Sequence, residues 1–441
     1  MLGTGPTAAM GLMTAVCSQG VARAGHCDGR IRSYSERNFT YCASFNRAPR
    51  TFESMGRADR WKRPPMPARI DRSLSQYLDF LRLAAALSVF AGHIATCTGY
   101  TSAQVHYHNA AVMMFFVLSG YVIAHTVTAK PVSFAEYAIA RLARLWSVAL
   151  PALAFSLTIW VVGPLMAPRV FGFAAPGPAT LLKAALASVT FINESSLGPW
   201  EIPADWPFWS LSYEFTYYLL FGTIIYTRGQ TRTAALAVAC GLAGPRILLL
   251  LPIWILGVIV YKAPAFVPAR WGYPLLLGSA GIYSLLAAGV GFDTLHQLNA
   301  TVLPIPALMW SSDTIWKYLL GIAVAANIAG FAAISHRVSF GRLGSVVSAL
   351  ANGTFALYLF HAPLILLLNS VLPQSLTGMA RVGAIVVLTL LAVALIVPFT
   401  EQQKGRVRYW LTMLLKQCRM MGIARLPAIA GPDSGVRRSG Q

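Results

Sequence analysis

Acidic side chains are scarce: 15 Asp and Glu stand against 35 Lys and Arg in 441 residues, and charged residues of both signs make up only 11%. A water-soluble domain carries roughly 25% charge and about 45–50% apolar residues. The 56% hydrophobic content here therefore argues against an ordinary soluble enzyme. Cysteine is sparse too. Cys17, Cys27, Cys42, Cys97, Cys240 and Cys418 show no CxxC spacing and no His pair at ligand intervals, so neither a disulfide framework nor a metal site is expected. The chain has no P-loop, GxSxG elbow, HExxH or dinucleotide glycine pattern, which removes nucleotide hydrolysis and the familiar soluble hydrolase mechanisms as first readings.

What is present is basic charge and long apolar runs. The net charge of +20 sits at the two ends and in short loops between those runs, not on one soluble face. That distribution fits the positive-inside bias of a membrane protein, and nucleic acid is not expected as a partner. Residues 1–69 hold 11 Arg and Lys with no sustained apolar period, and read as a disordered basic arm. Met66, just ahead of the first strong helix, stands as an alternative start to Met1.

A hydrocarbon core about 30 Å thick needs about 20 helical residues. Runs of that kind are expected near 74–97, 110–129, 146–166, 207–226, 233–245, 247–262, 273–291, 315–334, 348–371 and 381–399. The fifth is too short to stand alone, and the apolar run 181–192 suits a re-entrant or interfacial helix better than a crossing. The fold class predicted is all-α: a polytopic bundle of about ten transmembrane helices with both termini cytoplasmic. That arrangement puts nine loop Lys and Arg inside and five outside, and residues 402–441 form a basic cytoplasmic tail.

Ionisable groups within such spans are costly, so each is a candidate for function. Arg82 and His93 are 11 residues apart, about 20° from three full helical turns, so they share one face of the first span roughly 16 Å apart. Arg82 can snorkel to the cytoplasmic interface, and His93 can be a satisfied bundle histidine. A general base is the better account of His93, because imidazole has the ordinary pKa closest to neutrality. Asp79, three residues before Arg82, reads as its helix ion-pair partner.

Ser119-Gly120 in the second span marks close helix packing. Arg141 and Arg144, three apart at the mouth of the third span, either grip a phosphate or anchor the topology. Glu214, in an aromatic-rich run with Ser210, Ser212 and Tyr213, needs a partner, such as an arginine of another helix, or water. His361, followed by Pro363, reads as structural or functional, with Tyr358 a hydrogen-bonding candidate beside it.

Together and in order, Leu78-Asp79-Phe80-Leu81-Arg82 with His93, Phe115 to Tyr121, Arg141 with Arg144, Trp209 to Glu214, Leu256-Gly257 and Tyr358 to His361 resemble the acyltransferase 3 family of bacterial inner-membrane O-acyltransferases. The resemblance covers roughly residues 71–401, within a membrane domain set at 70–401. The last span ends Thr400-Glu401-Gln402-Gln403, where the family commonly has Glu-Arg-Pro.

The resemblance implies an acyl-CoA donor, usually acetyl-CoA, on the cytoplasmic side, with no permanently bound cofactor. It also implies a hydroxyl acceptor nearer the outer face, on a lipopolysaccharide, exopolysaccharide or oligosaccharide. Arg82 and His93 would then be essential, and Arg141 and Arg144 would serve the donor. The expected setting is the bacterial cytoplasmic membrane. A secondary transporter or flippase would share the composition and the buried charges, but it should carry related halves, and no convincing repeat is present.

Overall fold

The computed structural model describes residues 70–99, 105–129, 132–168, 171, 173–262, 267–304 and 308–421. The expected basic arm, the alternative start at Met66 and the last 20 residues lie outside the described residues.

The fold is all-α. The first three helices are α1 (Arg72–Cys97), α2 (Val105–Ala129) and α3 (Phe134–Met166). Asp71 opens α1 by accepting from the Leu74 N–H at 2.7 Å. Ser133 and Glu136 close a reciprocal capping box at the start of α3. Then come the short α4 (Pro178–Val189), α5 (Trp209–Tyr226) and α6 (Gly229–Lys262). The remainder is α7 (Ala269–Ala287), α8 (Phe292–Val302), α9 (Thr314–Ile334), α10 (Gly341–Ala351), α11 (Thr354–Val371), α12 (Gly378–Ile396) and α13 (Lys404–Met420).

Among the described residues, seven helical runs are long and apolar enough to cross a membrane, or eight if the α7–α8 pair, bent by 79°, is one span. The ten expected spans shrink to this number for three local reasons. The run at 207–226 becomes α5, whose Glu214, two serines and four tyrosines leave it too polar to qualify by composition, though it is packed inside the bundle. The runs 233–245 and 247–262 are two helical arms, separated as expected where the backbone leaves helical geometry at Gly244 (φ 73°, ψ 174°) immediately before Pro245; together they make up the 34-residue run α6, which counts once by length and composition. Glycine tolerates that positive φ and proline supplies no N–H to continue the helix. The run at 273–291 falls in the bent pair.

Two boundaries also move. The ninth expected span, 348–371, is divided at Asn352-Gly353 into the end of α10 and the whole of α11. The stretch expected as a basic tail contains α13, which packs against α3. The run 181–192 lies mostly in α4, a 12-residue helix too short to cross.

At the centre α2 packs against α1 on one side and α6 on the other. Gly120 faces the Trp254 carbonyl, and Gly257 faces the Val117 carbonyl and the Tyr121 N–H, so the two backbones touch where any Cβ would intrude. Small residues of this kind let membrane helices approach closely. The outer faces are apolar and exposed, as on α12, where Leu391 and Leu395 are 53% and 73% accessible. These large side chains face where lipid lies in a spanning bundle.

Candidate active site

Arg82 sits in the middle of α1 and pairs with Asp79 at 3.1 Å, as their spacing predicts. Asp79 also accepts from Ser348 of α10 at 2.8 Å, so this carboxylate both orients the guanidinium and ties two helices together. Arg82 lines a cleft of about 640 Å³ with Arg144 of α3, Ser119 of α2, Ser210 and Glu214 of α5, and Tyr358 of α11. The cleft thus collects five of the helices and six of the side chains singled out in the sequence.

Within it, Ser119 donates to Glu214 at 2.9 Å and accepts from the Trp254 indole N–H at 3.2 Å. Tyr218 also donates to Glu214. The carboxylate's hydrogen-bond partners are therefore hydroxyls, where the sequence allowed for an arginine; Arg144 acts on it electrostatically from further off. The packing reading of Ser119-Gly120 and a polar role are both satisfied: Gly120 makes the helix contact and Ser119 turns to the cleft.

Arg141 is placed differently from Arg144. Its guanidinium lies over the Tyr218 ring, 5.8 Å from the centroid, and its Nε is buried without a hydrogen-bond partner. Glu401, beyond the end of α12, accepts from the Ala356 N–H at 3.3 Å and acts electrostatically on both Arg82 and Arg144. Sequence reasoning treated this residue only as part of an atypical ending.

His93 does not line the cleft. Eleven residues along α1 from Arg82, roughly 16 Å, it is buried against α11. Its Nδ1 lies 2.6 Å from the Nε2 of His361, which is itself fully buried. Tyr358 links the two regions. It lines the cleft, shares a 2.8 Å hydrogen bond with Ser210, and its ring centroid is 6.3 Å from that of His361. Trp206 and His108 complete the surroundings of His93, with ring centroids at 5.6 and 4.7 Å. Neither was found from the sequence, because His108 looks like one more polar residue at a helix start and Trp206 like part of an interface belt.

The hydrogen bonds of the histidine pair fix where the protons are. The Nδ1 of His361 is 2.9 Å from the Leu357 carbonyl, which can only accept, so the neutral ring carries its proton there. Its Nε2 is then an acceptor and must receive the Nδ1–H of His93. The outcome is a His93 imidazole whose Nε2 has a free lone pair, the form a general base needs. Among the described residues no group of three or more His, Cys, Asp or Glu side chains is placed to hold a metal ion.

The class these features define is a polytopic helical membrane protein with a polar, titratable interior assembled from several helices. A protein-family model described as an acyltransferase domain, that of the acyltransferase 3 family, matches residues 75–401. The chain belongs to this family and is an acyltransferase for groups other than amino-acyl groups. The matched region contains every candidate site residue named above. Neither a curated protein nor a solved structure matches the chain.

Proposed function

We propose that the protein moves an acyl group, in the first instance acetyl, from cytoplasmic acyl-CoA to a hydroxyl of a cell-surface or exported carbohydrate. On this reading it is an enzyme of the bacterial cytoplasmic membrane with both termini inside. The observation that carries the reading is the buried His93–His361 pair, set beyond the end of a cleft whose walls include Arg82 and Arg144.

The donor enters at the arginines. Arg144 in the cleft wall and Arg141 behind it, with a buried unpartnered Nε, offer charge-assisted hydrogen bonds to CoA phosphates. The narrow pantetheine arm follows the cleft past Arg82 and Ser119 towards Tyr358. Arg82 lies roughly 16 Å from His93 along α1, which favours a role in holding the donor over one in stabilising the oxyanion.

At the far end His93 Nε2 removes the acceptor hydroxyl proton as that oxygen attacks the thioester carbonyl. The C–O bond forms, the tetrahedral intermediate collapses, and the C–S bond breaks. The departing CoA thiolate takes the proton back from His93, leaving an ester and free CoA. His361 is a positioning residue in this scheme, because it holds the His93 proton on Nδ1. Glu214 organises α2 and α5 through Ser119 and Tyr218.

Mass spectrometry of envelope glycans from cells with and without the gene tests this reading. An acyl mass that returns on complementation with wild type but not with His93→Ala supports it. No gene-dependent change in any glycan fraction removes carbohydrate as the acceptor.

A further inference from the structure

The helix α10 has 11 residues, about 16 Å of helix, so it cannot cross a hydrocarbon core of about 30 Å. It lies between α9 and α11 in the chain and packs against the first turns of α1. Its two faces are built differently. Towards α1 stand small residues: Gly344, where an added Cβ would strike the Gln76 side chain, and Ser348, which donates to Asp79 at 2.8 Å. Ser345 accepts from Arg72 at 3.4 Å. Leu343, Val346 and Leu350 occupy the opposite face, because spacings of three and seven residues keep them within about 60° of one another. They are 67%, 55% and 58% exposed.

The surroundings of this stripe match lipid. The Ser348–Asp79 bond fixes its level along α1, and there Phe80, next to Asp79, is itself 48% exposed, so the apolar outer surface continues from one helix onto the other. Residues 335–353 contain no acid, whereas Arg337 and Arg342 are exposed beside the stripe and Arg72 is exposed at the start of α1. Apolar side chains flanked by cations suit the boundary between acyl chains and anionic headgroups.

We infer that α10 is seated in the cytoplasmic leaflet: Leu343, Val346 and Leu350 enter the acyl chains, Arg337 and Arg342 meet anionic headgroups, and the lipid thereby holds α10 against α1 with Ser348 on Asp79. The inference rests on the proposed orientation and on Arg82 serving the donor. Asp79 pairs with Arg82 in the cleft wall, so a contact made at the bilayer surface reaches the donor site through two hydrogen-bonded side chains. Lipid is then a partner in donor binding as well as the medium around the bundle.

The test places single cysteines in the full-length protein, exposes inside-out membrane vesicles to a charged, impermeant maleimide, and measures label gained over wild type. Leu343→Cys, Val346→Cys and Leu350→Cys should gain little until SDS is added, while Ser339→Cys, in the exposed loop before α10, gains label at once. Stripe cysteines that label as readily as Ser339→Cys would overturn the seating and leave the stripe to a soluble partner or a second copy of the chain. A Ser339→Cys protein labelled only in right-side-out vesicles would instead overturn the orientation. The link to the donor is read in proteoliposomes of phosphatidylethanolamine and phosphatidylglycerol with acetyl-CoA and envelope glycan. Leu343→Gln combined with Leu350→Gln should raise the KM for acetyl-CoA about three- to tenfold, the loss of one hydrogen bond, and Ser348→Ala should do the same. The glycan KM should stay constant, which also reports folding. An acetyl-CoA KM unchanged in the Gln variant would overturn the link from lipid to the donor site, whereas a change in Ser348→Ala alone would keep Ser348 as a positioning residue that needs no lipid.

Discussion

Replacing His361 by leucine isolates the part of the mechanism most specific to this fold. The His93 side chain, only 5% exposed, stays in place, but the acceptor 2.6 Å from its Nδ1 is gone. Keeping the productive tautomer then leaves a buried N–H unsatisfied, at about 1–3 kcal/mol. The alternative is to move the proton to Nε2, the atom needed as base. At about 1.4 kcal/mol per factor of ten, that penalty reduces the productive form, and with it kcat, by about 5- to 150-fold. His361→Gln offers an amide oxygen as acceptor and should recover most of the loss.

The assay is CoA thiol release at saturating acetyl-CoA and glycan, with the KM for acetyl-CoA as control, since the arginines lie at the other end of the cleft. Equal damage in His361→Leu and His361→Gln would refute the tautomer argument and point to packing. So would a His361→Leu enzyme with unchanged kcat.

Replacing Arg141 and Arg144 together with Gln removes charge-assisted bonds of about 1.5–3 kcal/mol each, so the KM for acetyl-CoA should rise at least tenfold with glycan KM nearly constant; an unchanged CoA titration would make them topological anchors only. Gly120→Val sets a side chain against the Trp254 carbonyl and should destabilise the α2–α6 contact by about 1–3 kcal/mol or more, read as a lower melting temperature in detergent. Glu194 is raised from 4.5 to about 8, so the folded protein holds an extra proton between those values. Stability is therefore greatest below about pH 4.5 as far as this group is concerned, and declines as pH rises towards 8. Glu194→Gln should flatten the fall of melting temperature across that window without abolishing it, because Asp205 contributes in the same sense; an unaltered pH profile would contradict the burial argument.

The parts of this site that one helix can encode were legible in the sequence. The 11-residue spacing of Arg82 and His93, the three-residue spacing of Asp79 and Arg82, and Ser119-Gly120 follow from helical periodicity alone. The partnership of His93 with His361 spans 268 positions and depends on how α1 meets α11, which no local pattern contains. Glu401, Trp206 and His108 were missed for the same reason. The crossings were over-counted because hydropathy locates apolar runs without showing which are joined. The boundary expected between 245 and 247 is present as the non-helical break at Gly244, while α5 uses tyrosines where a lipid-facing helix would use leucines.

The most direct test of the central claim is transfer of labelled acetyl from acetyl-CoA to isolated envelope glycan by purified wild type and His93→Ala in proteoliposomes. With His93 as general base, the variant should bind acetyl-CoA normally and transfer label about 10²- to 10⁴-fold more slowly. A His93→Ala enzyme that labels glycan at the wild-type rate would contradict the account, because the chemistry would then lie away from the histidine pair.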